Sequence, residues 1–109
     1  MLRLKTTLAT LMLLSQYASA ESVFLTCIKN GGTSAYVVEI DESNKTAKTN
    51  FGTSTAKFTE AEIVFLASTR DGINYLHTIN RTTGNLSIFN ESTGKFTTAY
   101  TCNKSPAKF

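Results

Sequence analysis

Between Val23 and Cys102 a cluster of turn-forming residues interrupts the chain roughly every 8–12 residues, and this spacing limits the fold more than any other feature. Asn30-Gly31-Gly32, Asp41-Glu42-Ser43-Asn44, Gly52, Arg70-Asp71-Gly72, Arg81-Thr82-Thr83-Gly84-Asn85 and Asn90-Glu91-Ser92-Thr93-Gly94 all break the chain before a long helix could nucleate. The runs between them are β-branched, aromatic and threonine-rich, as strands are. Ile73, Tyr75, His77 and Ile79 alternate with Asn74, Leu76, Thr78 and Asn80, which puts the two sets on opposite faces of one strand. Phe96, Thr98, Tyr100 and Cys102 are likewise placed on one face by even spacing.

The expected fold is therefore mainly all-β: an antiparallel meander of seven to eight short strands, closed as a small barrel or folded as a sandwich. Thr59-Glu60-Ala61-Glu62 carries the spacing of a capping box ahead of Ile63-Val64-Phe65-Leu66, and predicts one short helical turn near 59–62. Lys45 to Phe51 and Thr55 to Phe58 are the weakest strands. The residues after Cys102, which include the mature chain's single proline, Pro106, read as a loose tail.

Residues 1–20 have the three parts of a secretory signal: Arg3 and Lys5, an apolar block from Leu8 to Leu14, and Ala18-Ser19-Ala20 before a cleavage point. The block is too short for a bilayer, which needs about 20 apolar residues. Cleavage leaves a single β domain of residues 21–109 that does not span a membrane, and the expected location is the periplasm or the outside of a bacterial cell. Losing Arg3 and Lys5 reduces 11 Lys+Arg to nine, against eight Asp+Glu, so a formal charge of +3 becomes +1. The nine remaining cations stand singly, with no stripe to neutralise several phosphates, so nucleic acid is not an expected partner.

In an oxidising compartment Cys27 and Cys102 have only each other to pair with inside the chain. Their bridge would close most of the mature domain into one loop and tie its first strand to its last. Neither a C-x-x-C spacing nor a neighbouring histidine suggests a redox or metal role.

Catalytic chemistry is not expected. His77 is the only imidazole, and both aspartates, Asp41 and Asp71, fall in predicted turns. The carboxylate pairs Glu39/Asp41/Glu42 and Glu60/Glu62 read as solvated strand ends, and no phosphate loop or EF-hand loop occurs. No cofactor or metal is implied. Five N-x-S/T triplets, at Asn44, Asn80, Asn85, Asn90 and Asn103, would be glycan acceptors in a eukaryotic secreted protein and read as polar turns in the bacterial one expected here.

The string Ile79-Asn80-Arg81-Thr82-Thr83-Gly84-Asn85-Leu86, the earlier Phe58-Thr59-x-x-x-Ile63 and a cysteine near each end of the mature chain resemble small exported bacterial β-rich proteins of unassigned function. That resemblance implies a β-rich fold and no activity. Periplasmic inhibitors of C-type lysozyme are similar in architecture and export only, because their S-G-S-G-x-R-Y loop is absent here.

Two functional readings follow. The first is a monomeric binding or inhibitory module acting on a protein or envelope component, with residues 30–34, 80–85 and 90–95 as contact loops and Arg81 as an anchor. The second is a lipocalin-like carrier with a cavity lined by Tyr75, His77, Phe96 and Tyr100. Both presuppose export, and mass spectrometry of the protein recovered outside the cytoplasm is expected to give a chain beginning at Glu21.

Overall fold

The computed structural model describes residues 22–104; residues 1–21, with the stretch expected to be a secretory signal, and residues 105–109 of the expected tail lie outside the described residues. Eight strands follow one another as β1 (Val23–Lys29), β2 (Ala35–Asp41), β3 (Thr46–Thr49), β4 (Gly52–Phe58), β5 (Glu62–Ser68), β6 (Asn74–Asn80), β7 (Asn85–Asn90) and β8 (Lys95–Lys104). Each pairs antiparallel with the next, and β8 returns to β1, so the sheet is a closed barrel rather than a sandwich. Closure removes the unpaired edges of an open sheet. The strand continues past the expected start of the tail, since Asn103 and Lys104 still pair with Thr26 and Leu25.

The seam is pinned where Cys27 and Cys102 sit directly opposite each other, bonded across 75 residues of sequence and both buried. Gly84 packs against the same point. Its carbonyl accepts the Cys102 amide at 2.8 Å, and a Cβ on Gly84 would lie 2.5 Å from the Cys102 carbonyl oxygen. With φ at +80°, this position excludes other residues on two counts.

Period-two alternation places Val38 and Ile40, Ala47, Ala56, Ile63 and Phe65, Ile79, Leu86 and the disulfide inside. Phe65, Leu86, His77, Val38 and Cys27 are the largest fully buried side chains. An eight-stranded barrel is just wide enough to be filled by such side chains.

Three connections at the two ends share one construction. Asn80 Oδ1 accepts the amides of Thr82 and Thr83, and Gly84 N–H donates back to the Asn80 carbonyl. Asn90 does the same with Ser92, Thr93 and Gly94. Asp41 accepts the Asn44 amide, and Lys45, four residues on like the two glycines, takes φ of +56°. An Asx side chain opening the turn and a left-handed residue closing it is the mechanism behind these polar clusters. It also gives Asn80 and Asn90 a structural use within their N-x-S/T triplets.

The helical turn expected near 59–62 is not formed. Thr59 N–H donates to the Glu62 carbonyl at 3.0 Å, and Glu62 N–H to Thr59 Oγ1 at 3.1 Å, closing a hairpin loop around Glu60-Ala61 within the paired Phe58 and Ile63. The threonine that would cap a helix caps a hairpin instead, because strand pairing on both sides leaves no residues for a helical turn. Gly52, expected as a stop, opens β4 opposite Thr49 around Asn50-Phe51.

A β-bulge decides the outer face. Ser87 pairs with Ala99 but Phe89 pairs with Phe96, so β8 holds one extra residue and its alternation reverses. Phe96 consequently points outward, 71% exposed and edge-to-face on Phe89 at 5.0 Å.

Replacing both Cys27 and Cys102 by Ala is expected to cost about 4 kcal/mol of stability in urea denaturation, the loop-closure value for this length. Gly84→Ala is expected to cost more than about 1 kcal/mol, while Gly72→Ala, with open space around its Cβ, carries only the φ penalty.

Candidate functional site

Meander order sends alternate connections to opposite ends. Residues 30–34, 50–51, 69–73 and 91–94 ring one mouth; residues 42–45, 59–61 and 81–84 ring the other. The expected contact loops are thereby split, with 30–34 and 90–95 at the first mouth and 80–85 at the second.

The first mouth opens into a cavity of about 400 Å³ lined by Tyr36, Asn50, Phe51, Thr69, Tyr75, His77, Ile88, Thr97 and Tyr100. Three predicted residues, Tyr75, His77 and Tyr100, meet here. Phe96 does not; the bulge turns it to the outer face, where it joins a cross-strand row with Phe89, Leu76 and Leu66. Its removal from the cavity corrects the expectation drawn from even spacing, which assumed an unbroken strand from 96 to 102.

His77 lies beneath this cup, 1% exposed. It stacks on Phe65, with centroids 4.6 Å apart, and on Tyr36 at 5.8 Å. Nδ1 sits 2.9 Å from the Tyr75 carbonyl, which can only accept, so this nitrogen carries the proton. Nε2 is left with a lone pair, and the Tyr36 hydroxyl 3.0 Å away donates to it. Burial holds the His77 pKa below its ordinary value, with the hydrogen bond to Tyr75 acting the other way. Burial likewise raises the Tyr36 pKa, opposed by a hydrogen bond with Thr49, while Tyr100 adds a smaller upward push. Thr49 is itself buried and accepts the Phe51 amide at 3.1 Å. The network thus runs from the β3–β4 turn through Thr49 and Tyr36 to His77 and the backbone of Tyr75. Tyr36 and Tyr100 complete the floor, 5.7 Å apart and tilted by 34°.

Tyr36, Thr49 and Phe51 were missed by sequence reasoning. Tyr36 was detectable, because it shares the even spacing of Val38 and Ile40. Thr49 shares the even spacing of Ala47, whereas Phe51 reaches the mouth only through the tight turn at Asn50-Phe51, which no periodicity announces.

Arg81 stands at the opposite mouth, where its guanidinium bonds the Glu42 carboxylate at 3.1 Å and the Thr59 carbonyl at 2.9 Å. Its backbone amide donates to the Ala61 carbonyl. Arg81 therefore fastens three connections together, and its charge is already partnered. A second cavity of about 400 Å³ lies at this mouth, with Glu42, Arg81 and Lys104 among its walls. The two cavities are separated by the packed core. Of the carboxylates weighed as pairs, Asp41 serves its turn, and its pKa is held low by the hydrogen bond from the Asn44 side chain. Glu39 accepts from Ser22 and faces Lys48 across the β2–β3 ladder. Among the described residues no cluster of three His, Cys, Asp or Glu could hold a metal ion, and no helix is long and apolar enough to cross a membrane.

Comparison with family models, with curated proteins and with solved structures finds no match for this chain.

The histidine makes stability depend on pH with a defined sign. The unfolded chain binds a proton near pH 6.5 and the folded chain only below that, so protons favour unfolding in between. Stability is expected to fall as pH drops below about 6.5, by at most about 1.4 kcal/mol per pH unit from this group, until His77 charges in the folded state. Urea titrations at pH 7.5 and 5.5 are expected to show a smaller difference in His77→Gln than in the parent. Equal differences would remove His77 as the source.

Proposed function

We propose that the protein is an exported, non-catalytic binding module that recognises its target at the tyrosine-lined mouth. The observation that carries this is the convergence of Tyr36, Phe51, Tyr75 and Tyr100, from four different elements, on one open cavity of about 400 Å³. A pocket of this kind, mostly apolar with a few directional polar groups, is a usual form of ligand site. The disulfide supports the export reading, since such bridges persist in oxidising compartments.

The shape favours a cup over a carrier's calyx. Phe65, Leu86 and Val38 fill the barrel beneath the mouth, so a ligand would sit at the rim and remain partly in solvent. His77, hidden under Tyr36, acts as a positioning residue that holds the Tyr36 ring through its hydroxyl. A second reading, a macromolecular partner on the outer wall, rests on the row Leu66, Leu76, Phe89 and Phe96, whose most exposed member is Phe96.

Screening neutral ring compounds by amide chemical shifts on the 21–109 chain separates these readings. Binding at the mouth is expected to move resonances of Phe51, Tyr75, Thr97 and Tyr100 and to leave Asn80 to Gly84 unmoved. Tyr100→Ala should weaken such binding about tenfold, matching the loss of one aromatic contact of up to about 1.5 kcal/mol. Shifts confined to the outer row would shift the assignment to the wall.

A further inference from the structure

Resting on the mouth as the recognition site, we infer that its ligand is a neutral sugar ring, such as a pyranose unit of an envelope or extracellular glycan. Three properties of the cup lead to this chemistry.

The first is charge. No lining residue is acidic or basic in its ordinary state except His77, which is buried and neutral with its proton on Nδ1. A charged ligand group would leave water without a partner, which is costly. Arg70, Asp71 and Glu91 stand in the connections around this mouth but outside the cavity lining, whereas Glu42, Arg81 and Lys104 are in the walls of the opposite cavity.

The second is the form of the aromatic surface. Tyr36 and Tyr100 both line the cup with centroids 5.7 Å apart and planes tilted by only 34°, so they are too close together to hold a group between them. A cage for a quaternary ammonium needs rings that stand apart and face one point, each within about 6 Å of the cation. A floor instead accepts a flat ring laid against it, and the C–H face of a pyranose fits an aromatic ring.

The third is the polar rim. Asn50, Thr69, Thr97, Tyr75 and Tyr100 bring polar groups to the lining of the same cavity. The Thr69 hydroxyl accepts the Ile73 amide, and that of Thr97 donates to the Ile88 carbonyl, so each keeps hydrogen-bonding capacity. The Asn50 amide and the hydroxyls of Tyr75 and Tyr100 have no hydrogen-bond partner among the described residues. Groups that both donate and accept, placed around a ring-sized cavity, match a ligand whose hydroxyls also do both. A plain aromatic ligand would bury the same floor and leave the rim unanswered.

The test is a titration of the isotopically labelled 21–109 chain with four probes: a set of neutral methyl hexosides and N-acetylglucosamine, glucuronate, phenol, and tetramethylammonium. The expected result is saturable shifts at Phe51, Tyr75, Thr97 and Tyr100 with at least one neutral sugar and weaker or no binding of glucuronate. Tyr100→Ala is expected to lower that sugar's affinity about tenfold. Tyr100→Phe, which keeps the floor and is the variant least disturbing to folding, is expected to weaken it less. Phenol or tetramethylammonium filling the cup while every neutral sugar fails would overturn the sugar assignment and leave the mouth as the site. Failure of all four probes to move the mouth would overturn both.

Discussion

The barrel depends on the seam between its first and last strands. Seven of the eight strand pairs join neighbours in sequence, so each hairpin closes over a few residues. The β1–β8 pair is different: it joins ends 75 residues apart, and without it the sheet has two open edges and two half-covered faces. The disulfide lies in the middle of that pair, and Gly84 brings the β6–β7 turn against the same residue. The most entropically expensive contact is thus the one made covalent. The small interior of Ala47, Ala56, Val38 and Leu86 then needs only to fill a cylinder whose circumference is already set.

Most of the architecture was legible because it is written in local chemistry. Turn clusters and period-two alternation located all eight strands, and the cysteines near both ends implied the closing pair. Barrel and sandwich could not be separated on that basis, since adjacent terminal strands satisfy both. Two local readings failed for one reason: pairing partners override what a segment suggests alone. Thr59 has the sequence of a helix cap, but Phe58 and Ile63 are paired across it. Phe96 has the spacing of an interior residue, but register with Phe89 inserts a bulge and turns it out.

The candidate site was half visible. The alternation of Ile73, Tyr75, His77 and Ile79 pointed to an interior histidine, and the structure places it there. What the alternation could not provide was the partner across the barrel. Tyr36 lies 41 residues away in sequence, and its hydroxyl donates to the imidazole nitrogen that the Tyr75 carbonyl leaves unprotonated. Arg81 illustrates the reverse case: the most conspicuous charge in the most conspicuous motif is occupied in joining Glu42, Thr59 and Ala61. A charged residue in a turn is informative about function only after its local obligations are known.

Between the two mouths, the side chains of Phe65, Leu86, Val38 and the disulfide form a plug with no passage through it. For the ligand proposed at the tyrosine mouth, entry and departure would share one route, past the rim of residues 30–34, 50–51, 69–73 and 91–94. The two ends are also free to change independently, because a substitution at one rim meets only solid core on its way to the other.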